Sequence, residues 1–365
     1  RCPECGSWNS FRQSEAPAAR KTPSAEVTAI PLEAIQTKEA LRFDSGIEEL
    51  DRVLGGGVMK GSATLIAGEP GTGKSTLMLQ LAARVHSPGR VLYVSGEESP
   101  GQIRLRSERL GITGAEGGGA PSSARGAPAQ RIEVFSGTEL SAVLQTCDRV
   151  KPVVLIVDSI QTLHSADIGA VPGTVNQIKL CSQELIDWAK LHGAALFLVG
   201  HVTKEGYIAG PKVVEHMVDT VLYFESDPGS RFRVVRAVKN RYGAANEIGV
   251  FAMAEQGLKE VRNPSALFLS RPESAVPGSV VTVVREGSRP LLVELQALVD
   301  EAQGMSPRRV AVGFEGGRLA LLLAVLHRHG GISTSGQDVF VNVVGGVRIG
   351  ETAADLPAVL AVLSS

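Results

Sequence analysis

The sequence predicts an α/β fold built on a mostly parallel, doubly wound sheet, followed by a separate unit of strands and helices. Three observations predict it. Continuous apolar runs recur at Ser62–Ala67, Val91–Ser95, Val153–Val157 and Ala194–Val199, as expected for strands buried on both faces. Helical patterns at 75–85, 139–150 and 175–191 lie between them, and strands alternating with helices argue for a parallel sheet. The first run and the first helical pattern are joined by a glycine-rich loop at Gly68–Ser75.

Each segment follows from its composition. Residues 1–11 carry a CPECG pattern at Cys2–Gly6, and 12–40, rich in Ala, Pro, Ser, Thr and charge, read as a linker. A first globular unit spans 41–262, with periodic structure from about Phe43. Within it, residues 114–129 (GAEGGGAPSSARGAPA) cannot bury a core and are expected as a disordered surface insertion. From Arg231 to Val261, short strands with turn signals at Tyr242-Gly243 and Gln256-Gly257 predict antiparallel hairpins extending the sheet. Asn263-Pro264 marks a boundary, and the second unit runs over 263–365.

Composition excludes some functions. At 43% hydrophobic and 21% charged, the 365 residues are ordinary for a globular protein. The longest apolar run, Leu319–Leu326, is too short to cross a bilayer, and no secretion signal opens the chain. The chain starts at Arg1 within a motif and reads as a fragment. A net charge of −1 gives no bulk signal for a nucleic-acid binder, so such binding would need locally gathered charge, as around a pore. Four cysteines are no disulfide framework at this size, and Cys147 and Cys181 fall in helical patterns as buried small apolar residues. A reducing cytoplasm fits best.

The chemistry starts at Gly68-Glu69-Pro70-Gly71-Thr72-Gly73-Lys74-Ser75, a full GxxxxGK(S/T) match between a predicted strand and a predicted helix, with Thr76 next. Glycines let the backbone wrap phosphates, whose charge meets amide N–H groups and a helix N-terminus. ATP is the expected ligand, with Lys74 on its terminal phosphates and the Ser75 hydroxyl on Mg²⁺. Asp158 ends an apolar strand, where a carboxylate meets the same metal shell. Glu97 and Glu98 follow another strand; Glu97 is favoured to hold the attacking water, with Glu98 the alternative. His201 follows the run ending at Val199 and is placed to sense the nucleotide. The loop Thr203–Lys212, with Lys204, Tyr207 and Lys212, and the loop Leu163–Thr174 read as mobile and suited to a phosphate backbone in a pore. A basic run holds Arg231, Arg233, Arg236, Lys239 and Arg241. Arg231 and Arg233 read as a solvated edge, whereas Lys239 and Arg241 precede a turn from which a cation can reach a neighbouring subunit.

These residues carry a resemblance. CPECG, FDSGIEELDRVLGGG at Phe43–Gly57, GEPGTGKST at Gly68–Thr76 and KNRYG at Lys239–Gly243 are similar to the bacterial RadA (Sms) DNA-repair ATPases, over nearly the whole chain. Tyr242 stands where that family's KNRFG-type signature has Phe. The resemblance implies a RecA-like ATPase core, a C-terminal Lon-protease-like domain and a four-cysteine zinc finger. It further implies a homo-hexameric ring helicase that translocates on single-stranded DNA and, with RecA, promotes branch migration of branched DNA. Cys2 and Cys5 supply half of the four zinc ligands, so Zn²⁺ belongs to the full-length protein. Residues 351–356 (ETAADL) contain no Ser where a Lon protease carries its nucleophile, so no peptidase is expected. A KaiC-like regulatory switch that does not act on DNA is the competing reading.

Overall fold

The computed structural model describes residues 42–87, 89–112, 131–169, 171–202, 209–226, 231–270, 276–304, 306–346 and 348–365. Cys2, Cys5, the linker, the 114–129 segment, Lys204 and Tyr207 lie outside them.

A short ribbon of β1 (Arg42–Phe43) and β2 (Val58–Met59) brackets α1 (Glu48–Val53). Then β3 (Ala63–Gly68) leads into α2 (Lys74–Arg84), and β4 (Arg90–Ser95) into α3 (Pro100–Arg109). In the same way β5 (Arg131–Ser136) leads into α4 (Leu140–Val150) and β6 (Val154–Asp158) into α5 (Val175–His192). The pattern continues with β7 (Ala195–His201), α6 (Ala209–Met217) and β8 (Thr220–Glu225), before β9 (Phe232–Asn240), β10 (Ile248–Ala254) and β11 (Gly257–Glu260). These strands form a nine-stranded sheet in the order β11-β10-β9-β8-β3-β7-β6-β4-β5. From β8 to β5 the pairing is parallel; β9, β10 and β11 add antiparallel neighbours, as the turn signals predict.

The continuous apolar runs arise because alternate residues feed two cores. Ile66, Tyr93, Ile156 and Phe197 pack with Leu50 of α1, Leu77 and Leu81 of α2 and Ile103 of α3. Leu65, Leu92, Leu155 and Leu196 pack on the other side with Val143 and Cys147 of α4, Cys181 and Leu185 of α5 and Val214 of α6. Each such side chain contributes about 1.5–3 kcal/mol through burial. Cys147 and Cys181 are buried thiols, and burial pushes them up to about 12 and about 11. α3 starts at a capping box, with Ser99 Oγ accepting from Gln102 N and Gln102 Oε1 accepting from Ser99 N at 2.9 Å.

A four-stranded sheet follows, of β12 (Ser279–Glu286), β13 (Arg289–Glu301), β14 (Arg309–Val312) and β15 (Gln337–Val343), in the order β12-β13-β15-β14. With α7 (Gly316–Gly330) and α8 (Asp355–Ser364) it builds a third core around Leu291, Val293, Val341, Leu319 and Ala358. Ile248 and Val250 of β10 belong to that core too. A buried carboxylate, Glu49 of α1, accepts two bonds from Arg289 Nη1 at 3.0 and 2.7 Å and one from Val250 N at 2.8 Å. This ion pair ties the first sheet to β13. Within this part of the chain, no described helix is long and apolar enough to cross a membrane.

Candidate active site

The parallel strands end together, so their last residues share one edge. Gly68 is in register with His201, Val199 with Asp158, and Asp158 with Ser95, one residue before the Gly96-Glu97-Glu98 turn. His201 thus closes β7, two residues beyond the apolar run, because its backbone completes the ladder with Gly68.

The glycine loop needs its glycines. Gly71 and Gly73 take φ of +78° and +112°, a region that L side chains disfavour. A Cβ on Gly68 would lie 2.6 Å from the Phe224 carbonyl oxygen. From the loop's end Lys74 starts α2, buried, with Nζ donating to the carbonyl oxygens of Gly68 at 2.9 Å and Glu69 at 2.7 Å. Burial lowers its pKa to about 8, against the opposing charges of Asp158, Glu97 and Glu69. Ser75 and Thr76 form the first turn of α2, and the Thr72 carbonyl accepts from Arg233 Nε at 3.1 Å. That bond corrects the reading of Arg233 as a solvated edge residue: β9 brings it against the phosphate loop.

Asp158 is buried and accepts from the Tyr93 hydroxyl at 2.6 Å. The two candidate glutamates part company. Glu97 Oε1 accepts from Ser159 Oγ at 2.5 Å and lies 3.2 Å from His201 Nε2. Glu98 pairs with Arg106 of α3; burial raises its pKa and Arg106 opposes the rise. Gln161 Nε2 donates to the His201 carbonyl at 3.1 Å, connecting β7 to the segment after Asp158. Sequence reading missed Tyr93, Ser159 and Gln161, because a Tyr inside an apolar run and small polar residues in a loop give no periodic signal.

The other expected residues lie elsewhere. Lys239 Nζ donates to the Glu215 and Val218 carbonyls at 2.8 and 2.7 Å, at the end of α6. Arg241 pairs with Asp219 at 3.1 Å, and Asn240 is in register with Thr220, beside Thr64. Both cations therefore sit at the sheet edge opposite Gly68, and one chain does not bring them to its own phosphate loop. Here the KNRYG segment meets the Phe43–Gly57 motif: Asn240 Nδ2 donates to Val53 O at 3.3 Å, Arg42 bonds the Gly55 and Tyr242 carbonyls, and Gly55 abuts Gly243.

Two loop readings change. Lys212 lies in α6, exposed, not in a loop. The segment after Leu163 is pinned where a mobile loop was expected. His164 bridges to Glu139, and buried Gln177 of α5 accepts from Ser165 N at 2.8 Å and donates to the Ser165 and Ile168 carbonyls at 3.0 and 3.2 Å. A glutamine that replaces a missing strand partner in this way leaves no pattern in the sequence.

Among the described residues, no group of three or more His, Cys, Asp or Glu side chains is gathered to hold a metal by itself. A phosphate-linked cation suits the oxygens present, since Asp158 and Ser75 are hard donors and leave the remaining octahedral positions to phosphate oxygens and water.

Residues 29–207 match a family model described as an AAA domain. Over its whole length the chain is 48% identical to the DNA repair protein RadA of Pseudomonas aeruginosa, 47% to that of Escherichia coli and 45% to that of Bacillus subtilis. In each case it covers 78% of the relative.

Proposed function

Since the chain belongs to the RadA family of DNA repair proteins, we propose that it is an ATP-driven ring motor that moves on single-stranded DNA and promotes branch migration of recombination intermediates. Its fold is that of a RecA-like P-loop ATPase. One observation carries the reading: buried Lys74 follows the glycine loop at the sheet edge where Gly68, Asp158 and His201 end their strands, and there Glu97 is bonded to His201.

In this reading the loop amides and Lys74 hold the ATP phosphates, and Ser75 and Asp158 hold Mg²⁺, which when bound offsets charge on the phosphates. Glu97, oriented by Ser159, holds the attacking water, and a well-placed base of this kind contributes about 10²–10⁴-fold. His201 reports the state of that carboxylate to the Thr203–Lys212 segment. Lys204, Tyr207 and Lys212 contact the DNA strand, with lysines releasing counterions and Tyr207 stacking on a base. Lys239 and Arg241 serve the neighbouring subunit's phosphates, which their distance from their own loop favours. The hexameric ring and a partnership with RecA complete the proposal. The 263–365 unit is a Lon-like platform for interaction without peptidase chemistry.

The test is strand displacement from a forked duplex with ATP, with a non-hydrolysable analogue, and with Lys74→Ala protein. Displacement with ATP by the wild type alone is expected. Displacement that persists with the analogue, or in Lys74→Ala, overturns the motor.

A further inference from the structure

Tyr93 lies in the middle of β4, fully buried in the core that contains Ile66, Leu77, Ile156 and Phe197. Phe would fill that volume equally well. A buried hydroxyl without a partner is costly, yet here it has one, Asp158 Oδ2 at 2.6 Å. The register explains the reach. Tyr93 is paired with Ile156 and Ser95 with Asp158, so Tyr93 and Asp158 are diagonal neighbours on the face covered by α2. The bond spans two strands from a rigid, close-packed position. It engages one carboxylate oxygen and fixes the group's rotation, and the other oxygen is left for a cation. Glu97 has a comparable arrangement from the opposite direction: Ser159, which follows β6, holds the carboxylate that follows β4. The two strands exchange one hydroxyl–carboxylate bond each.

We propose that Tyr93 is a positioning residue for the divalent cation, presenting Asp158 in the one rotation that ligates the ion bound with ATP. The inference rests on the reading of Asp158 as a metal ligand. Partners placed behind a ligand commonly set metal affinity within 10–100-fold, and the effect expected of Tyr93→Phe is on the order of tenfold.

The experiment titrates Mn²⁺ into protein saturated with a non-hydrolysable ATP analogue and reads bound ion by electron paramagnetic resonance. It compares wild type, Tyr93→Phe, Asp158→Asn and the double variant. Tyr93→Phe should weaken Mn²⁺ binding about tenfold and leave metal-free binding of the analogue in EDTA unchanged. In the Asp158→Asn background the same change should have no further effect, since the two residues act as one unit. Mn²⁺ affinity in Tyr93→Phe equal to wild type, with only a lower thermal midpoint, would show a purely packing role and overturn the proposal. Wild-type Mn²⁺ affinity in Asp158→Asn would instead overturn the metal-ligand reading beneath it. If Tyr93→Phe does not fold, Tyr93→Met carries the same comparison.

Discussion

At Glu97 the carboxylate accepts from Ser159 and faces His201, whereas at Glu98 it is committed to Arg106 of the following helix. The chemistry should follow that difference. Glu97→Gln is expected to lower the ATP turnover number by about 10²–10⁴ with nucleotide binding retained, and Glu98→Gln to keep most of the rate. Steady-state kinetics beside analogue binding checks both. The sequence favours Glu97 and keeps Glu98 as the alternative, and the α3 packing that delivers Arg106 to Glu98 has no signature there. A second residue-scale expectation concerns Glu294, buried in β13. Burial works against its charge, but bonds from Ser270 Oγ and N, Ser279 Oγ and Gln296 Nε2 prevail and bring its pKa down to about 2 from 4.5. A depressed carboxylate stabilises the fold above its unfolded value and loses that contribution as pH falls from about 4.5 toward 2. The wild-type thermal midpoint should fall through that window, and Glu294→Gln should start lower at neutral pH and fall less.

Among the elements, the strand–loop–helix at Gly68–Lys74 and the apolar strands were legible because each carries a local rule: glycines at positive φ, or apolar residues facing two cores. The segment after Asp158 was not legible. It is polar and glycine-bearing like a mobile loop, but Gln177 from a distant helix supplies the hydrogen bonds that an adjoining strand would otherwise supply. Gln177→Ala leaves the buried backbone of Ser165 unpaired, at about 1–3 kcal/mol. Limited proteolysis should then cut within 165–169 faster than in wild type, while cutting elsewhere is unchanged. Equal protection of this segment in the variant would show that other contacts hold it.

For the molecule as a whole, the sequence leads one to expect a boundary at Asn263-Pro264; in the structure a second sheet lies beyond that point and shares a core with β10 of the first. What the sequence could not show is how β10 serves both sheets, or that Glu49 of the first motif is neutralised by Arg289 of β13. Such a pair joins residues far apart in the chain and has no local signature. Arg289→Ala strands a buried carboxylate and is expected to cost about 3–5 kcal/mol, read as a lower denaturation midpoint; Glu49→Gln in that background should restore part of it. The same scale holds the question of why the phosphate loop and the KNRYG cations lie on opposite edges of one sheet, an arrangement that suits a ring in which each subunit completes its neighbour's site. Everything proposed for that ring depends on coupling between nucleotide and DNA strand. The most direct measurement is the ATP hydrolysis rate of the purified chain with and without single-stranded DNA, with Lys74→Ala protein as the control. Hydrolysis that rises on adding single-stranded DNA, much less on adding duplex, and is absent in Lys74→Ala is the predicted result; a Lys74-dependent rate indifferent to DNA would contradict the motor and favour a nucleotide switch.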